Sequence, residues 1–325
     1  MHPSSRVRDQ EATMLIRPFS AGDDLALGEV FHDAATPAEH MERGLFRPAS
    51  DGGQGEPALS RCVVAAAEDP DILVGAGAIA ASPAHPYRAW SYVEVAAEER
   101  GRGLGRGLFD AVREEVRGTE LDGLPLRTRV AAGSPGFAAA EHAGFSTLFT
   151  TRVVRIEALA LGALGADRLE DFAVTATGSV ELTKAFAAWY AGVNRADPAA
   201  PMSLGQVNNR FLSEAAGAYG AALLRDGGEV SAFAVSYAQP EVEAPTELTL
   251  GAVYDGTEAA ADPDPRSPQF QRAMEDAGAL LARLSTDTAV IVEVTDEMPA
   301  VSALIDGLIE AGQASVEYAY ATLGD

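Results

Sequence analysis

Residues 100–107 read Arg-Gly-Arg-Gly-Leu-Gly-Arg-Gly, with glycine at every second position, between an apolar strand pattern and an amphipathic helix pattern. Glycine reaches backbone angles closed to other residues and carries no side chain, so successive N–H groups there can turn inward around an anion. A helix that starts at once adds its unsatisfied amides and the positive end of its dipole. The segment therefore predicts a strand, an anion cradle and a helix, in that order. It places the chain among folds that mix helix and sheet.

The type of cradle follows from the spacing. The dinucleotide fingerprint needs Gly-x-Gly-x-x-Gly after the first strand of a parallel unit, and here the strand is the fourth. A Walker A loop needs Gly-Lys-Ser/Thr, which the chain lacks. The pattern that fits is Arg-x-x-Gly-x-Gly, at Arg100, Gly103 and Gly105.

Around this loop the periodicities predict a strand at 14–19 and a helix from the caps at 20–24 to about 34. Residues 35–57 mix Pro, Gly and acids and end in a loop. Strands at 61–67 and 72–80 flank Glu68-Asp69-Pro70-Asp71 as a hairpin. The strand at 90–95 puts Tyr92 and Glu94 on one face and Val93 and Val95 on the other. A helix at 107–116, a strand at 126–130, a helix at 134–143 and a β-rich run at 145–156 complete β-α-β-β-β-α-β-α-β, an α+β layout. The second half repeats it: a helix at 181–193, strands at 219–224, 230–237 and 248–254, a helix at 269–284, a strand at 289–295, a helix at 302–311 and a strand at 315–322. Ala143-Gly144 and Ala311-Gly312 close the last helix of each half. The reading is a disordered leader (1–13), a first domain (14–157), a linker (158–170) and a related second domain (171–325).

Composition narrows the function. The 325 residues carry 24 Lys+Arg against 48 Asp+Glu, a net charge of −24. Such a surface repels nucleic-acid phosphates and anionic membranes. Residues 1–170 hold 17 basic and 25 acidic side chains, and the rest hold 7 and 23, so the arginines gather in the half with the cradle. Cys62 is the lone cysteine, and His32, His40 and His85 lack metal-ligand spacing, so neither a disulfide nor a metal is expected. No apolar run approaches a membrane span, and the polar start lacks a signal-peptide core, which makes the cytoplasm the default location.

With the preceding Val95-Ala96-Ala97-Glu98-Glu99, the Arg100–Gly105 pattern resembles the acyl-CoA pyrophosphate loop of the GNAT N-acetyltransferase superfamily. Ala140-Glu141-His142-Ala143-Gly144-Phe145 resembles that family's helix end and Gly-Phe strand start. The resemblance covers 14–156; the second half is similar in layout only, as in tandem members. It implies two GNAT-like domains, each a mixed, mostly antiparallel sheet flanked by helices. It further implies acetyl-CoA as acyl donor, held by Arg100, Gly101, Arg102, Gly103, Leu104, Gly105 and Arg106, with pantetheine along the fourth strand at Val93 and Val95. A backbone N–H at or near Val95 would hold the thioester oxygen. Glu94 is the first candidate for base or amine-docking carboxylate, and Tyr92 for orienting the acceptor or donating a proton. The family's tyrosine acid is replaced by Ala140.

After residue 254 the second half has a long, acidic, Pro-rich stretch with Asp255, Glu258, Asp262 and Asp264, which predicts no CoA there. The expected activity is acyl transfer to a small-molecule amine, a cationic one being favoured by the overall acidity, in a monomer or homodimer. The competing expectations are a CoA-binding sensor or scaffold without turnover, and a non-enzymatic module that uses the acidic half.

Overall fold

The small, apolar strand patterns of residues 61–80 need cover on both faces. In the computed structural model, which describes residues 15–53, 55–67, 72–237 and 244–325, they receive it. The chain divides into two compact units, 1–129 and 130–325.

The first unit runs β1 (Leu15–Pro18), α1 (Asp23–Val30), α2 (Pro37–Arg43), β2 (Ser60–Ala66), β3 (Leu73–Ala80), β4 (Ala89–Val95), α3 (Leu104–Glu115) and β5 (Leu126–Ala131), whose last two residues cross the division. The sheet order is β1-β2-β3-β4-β5, antiparallel except for the parallel β4–β5 pair. One face carries α3. A Cβ at Gly75 of β3 would lie 2.9 Å from Leu108 Cδ1, so the helix sits where only a glycine leaves room. On the other face Phe19, Leu27 and Phe46 pack on Cys62, Val64, Ala76, Ala78 and Tyr92.

The second unit runs α4 (Pro135–His142), β6 (Ser146–Ile156), β7 (Phe172–Thr175), α5 (Val180–Gly192), α6 (Leu204–Val207), β8 (Ala218–Asp226), β9 (Glu229–Tyr237), β10 (Thr246–Ala252), α7 (Pro268–Leu284), β11 (Val290–Thr295), α8 (Pro299–Glu310) and β12 (Ala314–Gly324). Its sheet order is β7-β8-β9-β10-β11-β6-β12, and again one pair, β10–β11, is parallel. Phe186, Phe233, Leu223, Leu280 and Ile305 are fully buried in its core. The series β7-α5-β8-β9-β10-α7-β11-α8-β12 repeats β1-α1-β2-β3-β4-α3-β5-α4-β6, so the α+β repeat read from the sequence is present.

Several boundaries differ from the expectation. The units divide at 129/130 instead of at 158–170. The reason is β6, which pairs with β11 over Thr151–Ile156 and with β12 over Ser146–Ile156; the last strand of the first repeat thus lies inside the second sheet. Before its loop, the stretch 35–57 carries a helix, α2. Thr36 caps α2 by accepting the Glu39 N–H (3.2 Å), with Pro37 at the first helical position. Helix α3 starts at Leu104, three residues earlier than expected, directly after the left-handed Gly103, so Gly105 lies in its first turn. The predicted hairpin turn at 68–71 and the leader at 1–13 lie outside the described residues.

Candidate functional site

The glycine turn and the helix start lie in the order in which the sequence places them. After β4 a short 3₁₀ turn, Ala97–Glu99, leads into Arg100. Gly101 (φ +80°) and Gly103 (φ +81°) are left-handed, a conformation a side chain would strain. Gly103 is the N-cap of α3 and offers no side-chain oxygen. The N–H groups of Leu104, Gly105 and Arg106 therefore have no partner within the helix, and a Cβ at Gly101 or Gly103 would meet open space. Arg100 turns back and donates Nε–H to the Val95 carbonyl (2.9 Å), tying the loop to the strand end. Arg102 pairs with Glu99 (2.6 Å), and Arg106 lies 3.8 Å from Asp110; both side chains are mostly exposed. All seven predicted loop residues thus surround one helix start.

Among the described residues no strand pairs with the outer edge of β4 beyond Trp90, although Ser91 Oγ–H donates to the Arg127 carbonyl there (3.2 Å). The β4–β5 register joins Ala89 to Leu126 and Trp90 to Arg127 and goes no further. On the inner edge Ala96 N–H donates to Val74 O (2.9 Å). Antiparallel alternation then spends the amides of Tyr92 and Glu94 on β3 and turns those of Val93 and Val95 outward. The two valines named from the sequence therefore carry the outward main-chain groups.

Tyr92 and Glu94 share the opposite face, and both are buried. Glu94 accepts three hydrogen bonds: Arg43 Nε–H to Oε2 (2.9 Å), Arg43 Nη2–H to Oε1 (2.7 Å) and the Tyr92 hydroxyl to Oε2 (3.1 Å). The Arg43 guanidinium also lies 5.4 Å from the Phe31 ring centroid and 3.7 Å from Glu39 Oε1, and Phe46 packs on Tyr92 at 5.4 Å. The hydrogen bond from Arg43 to Glu94 raises the Arg43 pKa. Burial, then the charges of Glu94 and Glu39, push the Tyr92 hydroxyl far above its ordinary range, so it holds its proton. Arg43 is the residue that sequence reading misses. Its only local signal is Thr36-Pro37-Ala38-Glu39, a helix-start pattern that places Arg43 at the end of the next turn.

One turn-neighbour of Arg43 faces β5. Glu42 is buried, with Arg129 Nη1 3.6 Å from its carboxylate. Burial pushes Glu42 up to about 7, against the pull of Arg129 and Arg127. Arg127 and Arg129 lie over the Trp90 ring at 4.0 and 5.2 Å. Cys62 is buried, and its thiol is pushed up to about 12 by that burial, which removes it as a nucleophile at neutral pH. Ala140 lies in α4, and exposed His142 sets Nδ1 against Ala138 O (2.8 Å). Among the described residues no group of three or more His, Cys, Asp or Glu is placed to hold a metal, and no helix is long and apolar enough to cross a membrane. A cavity of about 510 Å³ lined by Ile79, Arg113, Val116, Leu121 and Leu126 lies at the other end of α3 from the cradle.

No protein-family profile matches the chain, and no curated protein matches it. Solved structures do. A GCN5-related N-acetyltransferase from Sphaerobacter thermophilus is 13% identical with a TM-score of 0.56, over 96% of this chain and 95% of that one. A tandem GNAT protein from the clavulanic acid biosynthesis pathway is 17% identical with a TM-score of 0.53, over 96% and 98%. A GCN5-related glucosamine N-acetyltransferase region of a fungal multi-domain GH3 β-N-acetylglucosaminidase is 13% identical with a TM-score of 0.56, over 97% of this chain and 38% of that one. The chain has the tandem GNAT fold.

Proposed function

We propose that the chain is an acyl-CoA-dependent N-acyltransferase that moves an acetyl group from acetyl-CoA to a small-molecule amine, with its site in the first unit. The observation that carries this is the uncapped start of α3 at Gly103, beside a β4 edge that, among the described residues, has no paired strand beyond Trp90. The free amides of residues 104–106, with Arg100, Arg102 and Arg106 around them, suit a pyrophosphate. The outward amides and carbonyls of Val93 and Val95 suit a pantetheine amide chain, and the Val95 N–H a thioester oxygen. Arg100 must then release the Val95 carbonyl or share it.

In the reaction, the neutral amine attacks the thioester carbon, the C–N bond forms as the C–S bond breaks, the nitrogen gives up one proton to solvent, and CoA leaves as its thiolate. Glu94 docks the amine on the opposite face of β4, and Tyr92, which keeps its proton, orients Glu94. With alanine at 140, solvent protonates the thiolate.

The test is thermal stabilisation by acetyl-CoA, followed by thiol release across an amine panel. No stabilisation at millimolar acetyl-CoA sinks the proposal. A second reading, a CoA-binding sensor without turnover, draws on Ala140 and on the three hydrogen bonds that already occupy Glu94. It predicts saturable CoA binding and no thiol release with any amine; release that depends on Glu94 excludes it. On either reading the expected location is the cytoplasm, in a monomer or homodimer.

A further inference from the structure

A carboxylate has about four lone-pair positions, two on each oxygen. Glu94 Oε2 has both taken, by Arg43 Nε–H and the Tyr92 hydroxyl. Oε1 has one taken, by Arg43 Nη2–H. The fork itself is held in place. Glu39 lies 3.7 Å from the guanidinium while its Oε2 accepts the Ala35 N–H at 2.7 Å, and the Phe31 ring covers the guanidinium on another side. Glu94 is thus a buried carboxylate with its orientation fixed from its own strand and one helix and, among the described residues, with one acceptor position left.

We infer that Arg43 is a positioning residue for the acyl acceptor: its fork fixes Glu94 and leaves it a single open position, on Oε1, where a primary amine docks through one N–H. The inference rests on the acyltransferase reading above and names its acceptor chemistry. A primary amine needs only one such contact. A fork-shaped cation, a guanidine or an amidine, needs both carboxylate oxygens side by side, and Arg43 already occupies that edge. The protein's own arginine therefore acts as the element that turns guanidines away. The free base that reacts keeps a lone pair on nitrogen for the thioester, so a one-point contact also leaves the nucleophile unhindered.

The experiment uses the full chain with acetyl-CoA as donor and, as probe, whichever of putrescine, tyramine and glucosamine releases most thiol. Arg43→Lys keeps the charge and loses the fork. It is expected to raise the KM for the amine by about tenfold or more, with a much smaller fall in kcat and an acetyl-CoA affinity within about twofold of wild type. In Arg43→Ala, methylguanidinium at about 20 mM fills the vacated fork and lowers that KM again, while the same salt leaves wild-type KM unchanged. If Arg43→Ala fails to fold, Arg43→Gln takes its place: it keeps Glu94, loses the fork and the charge, and shows the same rise in KM. An unchanged KM in Arg43→Lys, or methylguanidinium competing with the amine in wild type, overturns the inference. Wild-type protein that binds acetyl-CoA but releases no thiol with any of the amines refutes the acyltransferase reading itself, which the variants alone do not.

Discussion

The helices that follow β4 and β10 occupy the same place in the two repeats and begin in opposite ways. Helix α3 starts from Gly103, with no side-chain cap and three amides left open. Helix α7 starts from Ser267, whose hydroxyl accepts the Phe270 N–H (3.2 Å), and Pro268 at the first helical position has no amide to offer. The approach differs as well. Arg100 and Arg102 precede α3, whereas Asp262 and Asp264 precede α7, and Asp264 is spent on the Arg266 N–H (2.9 Å). Further back, Asp255 is fully buried and accepts the first amides of another helix, α8, from Ala300 (2.7 Å) and Val301 (3.2 Å). One helix start is left without a side-chain cap, and the other is closed with the chain's own oxygens. A duplicated fold can thus keep its architecture while only one copy keeps a vacancy.

The largest expected effect breaks the open side. Gly103→Glu or Arg100→Glu puts a carboxylate at the cradle, and acetyl-CoA should then bind at least about a hundredfold more weakly, read as loss of the thermal shift. Next comes the closed side. Asp255→Ala leaves two buried amides without acceptors and should cost about 3 kcal/mol, read by denaturant unfolding, with Asp255→Asn milder. That loss should appear without any change in acetyl-CoA affinity.

A pH dependence ranks third. Glu42 keeps its proton in the folded chain up to about 7, while the unfolded chain releases it near 4.5. Between those values the folded state binds more protons, so stability is fullest below about 4.5 and falls as pH rises through 7. Burial likewise pushes Asp255 up to about 6, against the pull of the Ala300 and Val301 amides, and adds a fall in the same direction at lower pH. Glu42→Gln should remove the share of the slope between about 4.5 and 7, a swing of about 3 kcal/mol, and leave that of Asp255. A slope unchanged in Glu42→Gln would falsify the assignment. The smallest effect is Ser267→Ala, expected to cost about 1 kcal/mol as a lost cap and to leave acetyl-CoA affinity untouched.

How much of this was legible follows from how local each feature is. The glycine loop, its place between strand and helix, and the shared face of Tyr92 and Glu94 are written within a few consecutive residues, and the structure shows each of them. The acidic stretch after β10 is equally local. Arg43 is not: its partner Glu94 lies 51 residues away, and nothing in either neighbourhood names the other. The division at 129/130 was illegible for the same reason. The alternation of β6 is compatible with any antiparallel neighbour, and only the full set of strands decides that β11 and β12 flank it.

That placement of β6 bears on how the protein is made. A ribosome finishes residues 146–156 long before it reaches 290–324, and at roughly 5–20 residues per second the strand waits many seconds for its neighbours. During synthesis the first repeat therefore carries a strand edge whose partners have not yet been made. Once complete, the two repeats can no longer be inherited as separable parts. Cutting the chain between them would leave β11 and β12 without the strand that joins them.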